Sequence, residues 1–136
     1  MIVDTSALIA VLLGEEGSEH ILAALDEEAG FLPAPALAEF WVVASGSRVD
    51  AAQQARELMH EWQNGGLTVL PFTEDHAARV LEAIPLYGKG NGWGGALNLL
   101  DLMVYAVASE HDEPLLCTGK DFAATDLELH AGSRAF

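Results

Sequence analysis

A group of acidic residues lies within or directly beside apolar segments, where a charge is costly unless it is paired or bound to a metal. Several carboxylates that converge near neutral pH must bind protons or a cation. Oxygen ligands without Cys or His favour Mg²⁺ or Mn²⁺ over Zn²⁺, and such an ion can activate a water and neutralise charge on a phosphate. The candidates for this metal site are Asp4, Glu39, Asp101, Asp121 and Asp126.

Each of these acids also has an ordinary structural explanation. Asp4 could cap the helix that follows it, and Asp121 and Asp126 could cap turns. Glu39 and Asp101 fall inside predicted helices, where no cap is needed, but they could reach solvent or a backbone donor. The prediction of a metal site therefore depends on the whole set and not on any single member.

Short apolar strands alternate with helical patterns along the chain. This alternation predicts one α/β domain over residues 1–136, with a mostly parallel sheet covered by helices on both faces. Ligands bind such folds at the carboxyl ends of the strands, where the strand order reverses. Strands are predicted at residues 2–3, 30–33, 67–72, 114–117 and 127–130, and helices at 5–13, 19–28, 35–43, 50–63, from 73, 98–108 and briefly at 122–124.

The helix starts are predicted from residues with capping side chains. Thr5 or Ser6 is expected to cap the first helix, Ser18 the second and Asp50 the fourth. In the helix at 98–108, Asn98, Asp101 and Tyr105 fall on one side, so we expect a polar stripe facing the strand ends. The residues expected to pack in the core from this helix are Leu99, Leu102, Met103 and Val107.

The chain is strongly acidic, with 21 Asp and Glu against 6 Lys and Arg and a net charge of −15. This charge is the opposite of the footprint expected for nonspecific nucleic-acid binding. A solvated or salt-adapted surface, a cation site and a surface matched to a basic partner all explain it. The candidate site accounts for −5 of the −15, so it does not explain the whole imbalance.

The sequence also indicates where the protein works. It has no apolar run long enough to span a bilayer and lacks the pattern of a signal peptide, so we expect no membrane association. The single Cys117 lies in an apolar run and is expected to be a small buried side chain. One unpaired cysteine fits a reducing compartment, and we predict a cytoplasmic protein.

Three segments resemble a known family. They are DTSAL from Asp4, PALAEF from Pro35, and the stretch from Gly88 to Leu127, which contains GKG, ALNLLDLMVYAVA and PLLCTGKDFAATDL. Together and in this order they resemble PIN-domain ribonucleases, and most closely the VapC-type toxins of toxin–antitoxin pairs. The resemblance runs over nearly the whole chain.

The resemblance implies a three-layer α/β/α sandwich and an Mg²⁺- or Mn²⁺-dependent endoribonuclease. A metal-activated water would cleave RNA and leave a 3′-hydroxyl and a 5′-phosphate. The family's members often form homodimers and are inhibited by a cognate antitoxin. The implied catalytic residues are Asp4, Glu39, Asp101 and Asp121, and the implied metal ligands are Asp4, Asp101, Asp121 and Asp126. Ser6 and Asn98 are expected to support the site, and Lys120 and Lys89 are candidates for contacts to RNA phosphates.

Other interpretations compete with this one. Gly90 to Gly95 matches the G-x-G-x-x-G fingerprint of dinucleotide-binding folds, but that motif requires a strand directly before it. A flexible segment or an ordinary loop fits better. Trp93 within it is expected to be a half-buried aromatic, although it could also stack on a base. A receiver-type regulatory domain would need two adjacent acids after the first strand, where only Asp4 is found. A PIN-fold binding or regulatory module with little nuclease activity is the alternative function.

Overall fold

Four short strands form the centre of the structure, a computed structural model that describes residues 1–134. They are β1 (Ile2–Val3), β2 (Phe31–Pro33), β3 (Thr68–Leu70) and β4 (Leu115–Leu116), paired in parallel in the order β3-β2-β1-β4. Ile2 and Val3 are both fully buried. Because successive strand residues face opposite sides of a sheet, helices must cover both faces. The predicted α/β fold with a covered parallel sheet is confirmed.

Two helices connect each consecutive pair of strands, as parallel pairing requires. They are α1 (Thr5–Leu13) and α2 (Ser18–Glu27), then α3 (Ala34–Ser45) and α4 (Ala52–Asn64), then α5 (Glu74–Tyr87) and α6 (Leu99–His111). None of the helices in residues 1–134 combines the length and hydrophobicity needed to cross a bilayer.

The strand order places a topological switch point between β1 and β4. From β1 the chain adds β2 and β3 on one side, and it then returns to place β4 on the other side of β1. The segments that leave the carboxyl ends of β1 and β4 therefore diverge, and this divergence opens a crevice. Asp4 directly follows β1, and the loop with Thr118 and Asp121 follows β4.

Three of the predicted helix caps are wrong. Asp4, and not Thr5 or Ser6, caps α1, because its carboxylate accepts a hydrogen bond from the Ser6 backbone N–H. Helix α2 begins at Ser18 itself, after Gly17 in the left-handed conformation. Asp50 also lies in the left-handed region at φ 48°, so α4 begins two residues later. Asp tolerates that conformation, which is why its presence did not mark the helix start.

The predicted last strand at 127–130 and the short helix at 122–124 do not form as such. Residues 122–124 make turns, and the strand is reduced to an isolated parallel bridge between Leu115 and Leu129. The Ser133 hydroxyl then donates to the Leu115 carbonyl at 2.9 Å and accepts from the Cys117 N–H at 3.1 Å. The backbone of Glu128 and His130 also bonds to Leu115, so the edge of β4 is satisfied partly by backbone groups and partly by the Ser133 side chain.

Helix α6 differs from its predicted orientation at its first turn. Leu102 and Val107 are buried as expected, and Met103 is half-buried. Leu99, however, is 68% exposed, because it lies in the first turn, at the surface beside Lys89 and Asn98. The apolar composition of the helix did not distinguish its core-facing side from this exposed end.

Candidate functional site

Asp4 lies at the centre of the candidate site, buried at the end of β1 with 5% of its surface exposed. Its Oδ2 accepts hydrogen bonds from the Ser6 backbone N–H at 3.0 Å and from the Ser6 hydroxyl at 2.6 Å. Burial raises the pKa of this carboxyl above its ordinary value, and the negative charge of Glu39 adds to the increase, while the bonds from Ser6 oppose it. Asp4 therefore caps α1 and also lies buried near a second acid, so its role as a cap and its place in the candidate site are compatible.

Ser6 links the two strands that border the crevice. Its hydroxyl donates to Asp4 and accepts a hydrogen bond from the Thr118 N–H at 2.9 Å, just beyond β4. The Asp4 N–H in turn donates to the Leu116 carbonyl at 2.9 Å. The expected support from Ser6 thus has a structural basis, because this hydroxyl fixes the Asp4 carboxylate and the start of the Asp121 loop together.

Replacing Ser6 by alanine should reduce the activity of the site by about tenfold, the lower end of the loss seen when a group that orients a ligand is removed. The change also leaves the Thr118 N–H without its acceptor, which should lower the melting temperature. RNA-cleavage rates and thermal melts would measure both effects. Ser47→Ala, at an exposed position, is the matched control, and equal behaviour of the two variants would contradict the assigned role.

Glu39 reaches the site from α3. This helix starts immediately after β2, with Pro35 in its first turn, and the Thr5 hydroxyl donates to the Ala36 carbonyl at 3.0 Å. That bond ties the start of α3 to the start of α1. Glu39 lies one turn further along and is half-buried, and its negative charge raises the pKa of both Asp4 and Asp101.

Asp101 is not in a helix interior, as the sequence suggested, but in the first turn of α6. Asn98 caps the helix, its Oδ1 accepting from the Asp101 N–H at 2.9 Å, while Asp101 Oδ2 accepts from the Asn98 N–H at 3.0 Å. This reciprocal capping box fixes the Asp101 carboxylate. Burial raises its pKa to about 6, with further contributions from the charges of Asp4, Asp121 and Glu39.

Asp121 is an exposed member of the group. It follows the turn of Gly119 and Lys120, where the Gly119 N–H donates to the Arg134 carbonyl at 2.8 Å and holds the loop against the C-terminal segment. Its charge contributes to the raised pKa of Asp101. Lys120 beside it and Lys89 at the start of the loop after α5 are both exposed, as a contact to a phosphate requires.

Asp126 has a partner outside this group. Its Oδ1 accepts a hydrogen bond from the Tyr105 hydroxyl at 2.7 Å, and the Tyr87 ring lies 5.2 Å from the Tyr105 ring. The pKa of Tyr105 is raised, first by burial and then by this bond to Asp126. The predicted polar stripe placed Tyr105 one turn after Asp101 but did not identify Asp126 as its acceptor. A role of Asp126 as a metal ligand remains a prediction.

The donor set has the chemistry that a hard divalent cation requires. Asp4, Glu39, Asp101 and Asp121 contribute only carboxylate oxygens, and their mutual repulsion is relieved by a cation. As the side chains stand in residues 1–134, however, no three acidic, histidine or cysteine groups are close enough to hold one ion. The residues fit the cation by chemistry and charge, and binding would require the less buried carboxylates to turn inward.

Cys117, directly beyond β4, has no catalytic chemistry at neutral pH. It is buried, and burial followed by the nearby charge of Asp4 raises the pKa of its thiol to about 12. The neutral thiol is not a nucleophile. The expectation of a small buried side chain is confirmed.

Comparison with known proteins connects this geometry to one family. The family model described as "PIN domain" matches residues 1–128. Ribonuclease VapC36 of Mycobacterium tuberculosis is 38% identical over 131 residues, which cover 95% of this chain and 92% of the relative.

Two solved structures share the fold. The crystal structure of M. tuberculosis VapC20, described as a sarcin-ricin loop cleaving toxin, aligns with a TM-score of 0.73 at 15% identity over 93% of this chain and 95% of that one. A toxin–antitoxin complex from Klebsiella pneumoniae aligns with a TM-score of 0.68 at 21% identity over 97% of this chain and 93% of that one. At these identities the structural likeness bears on the fold alone.

Proposed function

This chain belongs to the PIN-domain family, and from that premise we propose that it is a metal-dependent endoribonuclease that acts as the toxin of a toxin–antitoxin pair. One observation carries the proposal: four acids from four different segments interact electrostatically at the switch point between β1 and β4. Relatives named as VapC ribonucleases support both the RNA substrate and the hydrolytic reaction.

We assign Asp4, Asp101 and Asp121, with Glu39 beside them, as the residues that would hold Mg²⁺ or Mn²⁺. When bound, the ion supplies a Lewis acid that lowers the pKa of a water and neutralises charge on the phosphate. Asp126 stays a predicted ligand, and binding through its Oδ2 would leave the bond from Tyr105 to Oδ1 intact.

The chain's own contribution is to fix the acids before RNA binds. Ser6 holds the Asp4 carboxylate, and the capping box with Asn98 holds that of Asp101, so the carboxylates that have to turn inward are those of Glu39 and Asp121. The exposed Lys120 and Lys89 are the residues that we assign to contacts with RNA phosphates. In-line attack by water breaks the bond between phosphorus and the 3′ oxygen, leaving a 3′-hydroxyl and a 5′-phosphate.

The partners follow from the same proposal. The net charge of −15 favours a basic antitoxin segment, which would be drawn to the acidic surface. The Klebsiella structure is itself a toxin–antitoxin complex, which supports this type of partner. Exposed apolar side chains on α5 and α6 support a homodimer. An RNA substrate and a single buried thiol support a cytoplasmic location.

The test is incubation of the purified protein with total RNA. We expect a small set of discrete fragments with Mn²⁺ or Mg²⁺ and none after EDTA, because the ion is needed to offset the charge of the acid group. Expression of the free protein should also arrest growth, and co-expression of the antitoxin should restore it. Absence of any metal-dependent cleavage, with retained binding of a partner, would instead support a PIN-fold binding module.

A further inference from the structure

The segment between α5 and α6 is a closed and internally bonded loop, which we call the 88–97 loop. Lys89 N–H donates to the Leu97 carbonyl at 2.8 Å, and Leu97 N–H donates to the Tyr87 carbonyl at 3.0 Å. These bonds join the two ends of the loop. Helix α5 and not a strand precedes the G-x-G-x-x-G match, so the segment is a loop, as the sequence analysis favoured, and not a dinucleotide fingerprint.

One side chain organises the interior of the 88–97 loop. Asn91 Oδ1 accepts hydrogen bonds from the Trp93 N–H at 2.8 Å and from the Gly95 N–H at 3.2 Å. Its Nδ2 donates to the Pro85 carbonyl at 3.1 Å, at the end of α5. The backbone around Trp93 is therefore tied to the helix before it.

Trp93 itself is 87% exposed. The other two tryptophans of the chain, Trp41 and Trp62, are half-buried and buried. Leaving a large indole in water gives up the stability that its burial would contribute. Leu86, which is 64% exposed, lines the same cleft as Trp93, and neighbouring exposed apolar side chains are typical of a contact surface. The expectation of a half-buried aromatic is wrong: the backbone of Trp93 is bonded to Asn91, and its indole faces solvent.

The position of Trp93 indicates what it contacts. Trp93 and Asp121 line the same cleft, of about 130 Å³, whose other walls include Tyr87 and Thr125. Asp121 belongs to the acid group at the switch point. A flat ligand lying on the indole would therefore be adjacent to the proposed reaction site, with Lys89 on the same loop available for the negative backbone.

We propose that Trp93 stacks on a nucleobase of the bound RNA next to the cleaved phosphate, so that the 88–97 loop forms a base-binding subsite. This inference rests on the proposed ribonuclease function. Every base offers a π-face, so stacking adds affinity for single-stranded RNA without selecting a sequence. A contact between Trp93 and a protein partner is a different proposal and is an outcome of the test below.

The first measurement is steady-state cleavage of a short single-stranded RNA with Mn²⁺. Trp93→Ala should raise KM about tenfold with little change in kcat, the size of effect expected from losing one stacked base. Trp93→Phe should recover part of the loss. Leu13→Ala is the matched control, because Leu13 is an exposed apolar residue at the end of α1, at 48% exposure, and lies outside both the cleft and the surface of α5 and α6.

The second measurement does not depend on turnover. In an Asp4→Asn background, the same RNA should quench the fluorescence of the exposed Trp93, and replacing a single base by an abasic site should reduce the quenching. Quenching that persists in Trp93→Phe would come from Trp41 or Trp62 and would overturn the proposal.

The outcomes separate the two proposals. A Trp93→Ala protein that cuts RNA with the wild-type KM overturns the base-binding subsite and leaves the ribonuclease assignment standing. So does a Trp93→Ala protein whose only defect is loss of antitoxin binding. A wild-type protein that never cuts RNA overturns the proposed function, and fluorescence quenching by RNA then decides separately whether Trp93 binds bases.

Discussion

Replacing Asp101 by asparagine should abolish metal-dependent RNA cleavage and, without metal, raise the melting temperature of the protein near neutral pH. The loss of activity should be at least about a hundredfold, as for removal of a preorganised electrostatic contact. Asparagine can still accept the hydrogen bond from the Asn98 N–H through its Oδ1, so the capping box of α6 is retained. The variant therefore removes the charge and preserves the local fold.

The gain in stability follows from the raised pKa of Asp101. The pKa in the folded protein is about 6 against an ordinary value of 3.8, so the folded state holds the proton more tightly than the unfolded state. Below pH 3.8 the Asp101 carboxyl is protonated in both the folded and the unfolded state, so it does not lower the free energy of unfolding. Between pH 3.8 and about 6 the carboxyl ionises in the unfolded state before it does so in the folded state, so the free energy of unfolding of wild type falls over this range. The loss is complete above about pH 6, where the carboxyl is ionised in both states.

The size of this gain is modest because Asp101 is only half-buried. Allowing for solvent screening, we expect about 1 kcal/mol, or about 3 °C in melting temperature. Thermal melts in EDTA should show Asp101→Asn above wild type at neutral pH, with the curves converging near pH 4. Added Mg²⁺ should stabilise wild type and leave the variant unchanged.

Asp75→Asn is the matched control for this experiment. Asp75 is also in the first turn of a helix, α5, but it is exposed and lies outside the acid group. Removing its charge should leave stability unchanged or slightly lower, because a carboxylate favours a helix N-terminus. If Asp101→Asn melts below wild type in EDTA at neutral pH, or cuts RNA at the wild-type rate, the electrostatic account of the site is wrong.

Replacing Gly95 by alanine should be the most damaging single methyl addition in the 88–97 loop. A Cβ at this position would lie 2.3 Å from the Gly88 carbonyl oxygen and 2.7 Å from the Tyr87 backbone. These are backbone atoms, so they cannot move aside without separating the two ends of the loop. We expect a loss of about 3 kcal/mol, from overpacking and from the broken hydrogen bonds at Lys89 and Leu97, or about 10 °C in melting temperature.

Gly92→Ala separates this clash from a general effect of alanine in the loop. Gly92 has a φ of 82° with open space around its Cα, so alanine there should lower stability only by the conformational strain of about 1 kcal/mol. Denaturant unfolding of both variants would measure the difference. Equal losses would mean that the loop ends are not held as closely as the structure shows. Because Gly95 also lines the cleft, its variant should lose the fluorescence response of Trp93 to RNA.

Much of the fold could be predicted because its signals are local. Short apolar strands alternating with helical patterns identified β1 to β4 and the helices between them, and parallel pairing followed from that alternation. The last strand was not predictable in its true form, because the hydrogen bonds at the edge of β4 come partly from the Ser133 hydroxyl. A side chain substituting for a strand leaves no periodic pattern in the sequence.

The sequence by itself identified the acids that we propose for the site, because a carboxylate in an apolar segment and the order of the family's motifs are both readable from residue types. Only the tertiary structure decided how those acids are held. Asp101 is fixed by a capping box, Asp126 is bonded to Tyr105, and Trp93 is exposed beside Asp121. These relations depend on chain closure across many residues and on the direction of individual side chains. Residue types and their spacing along the chain do not specify how distant segments meet or where an individual side chain points.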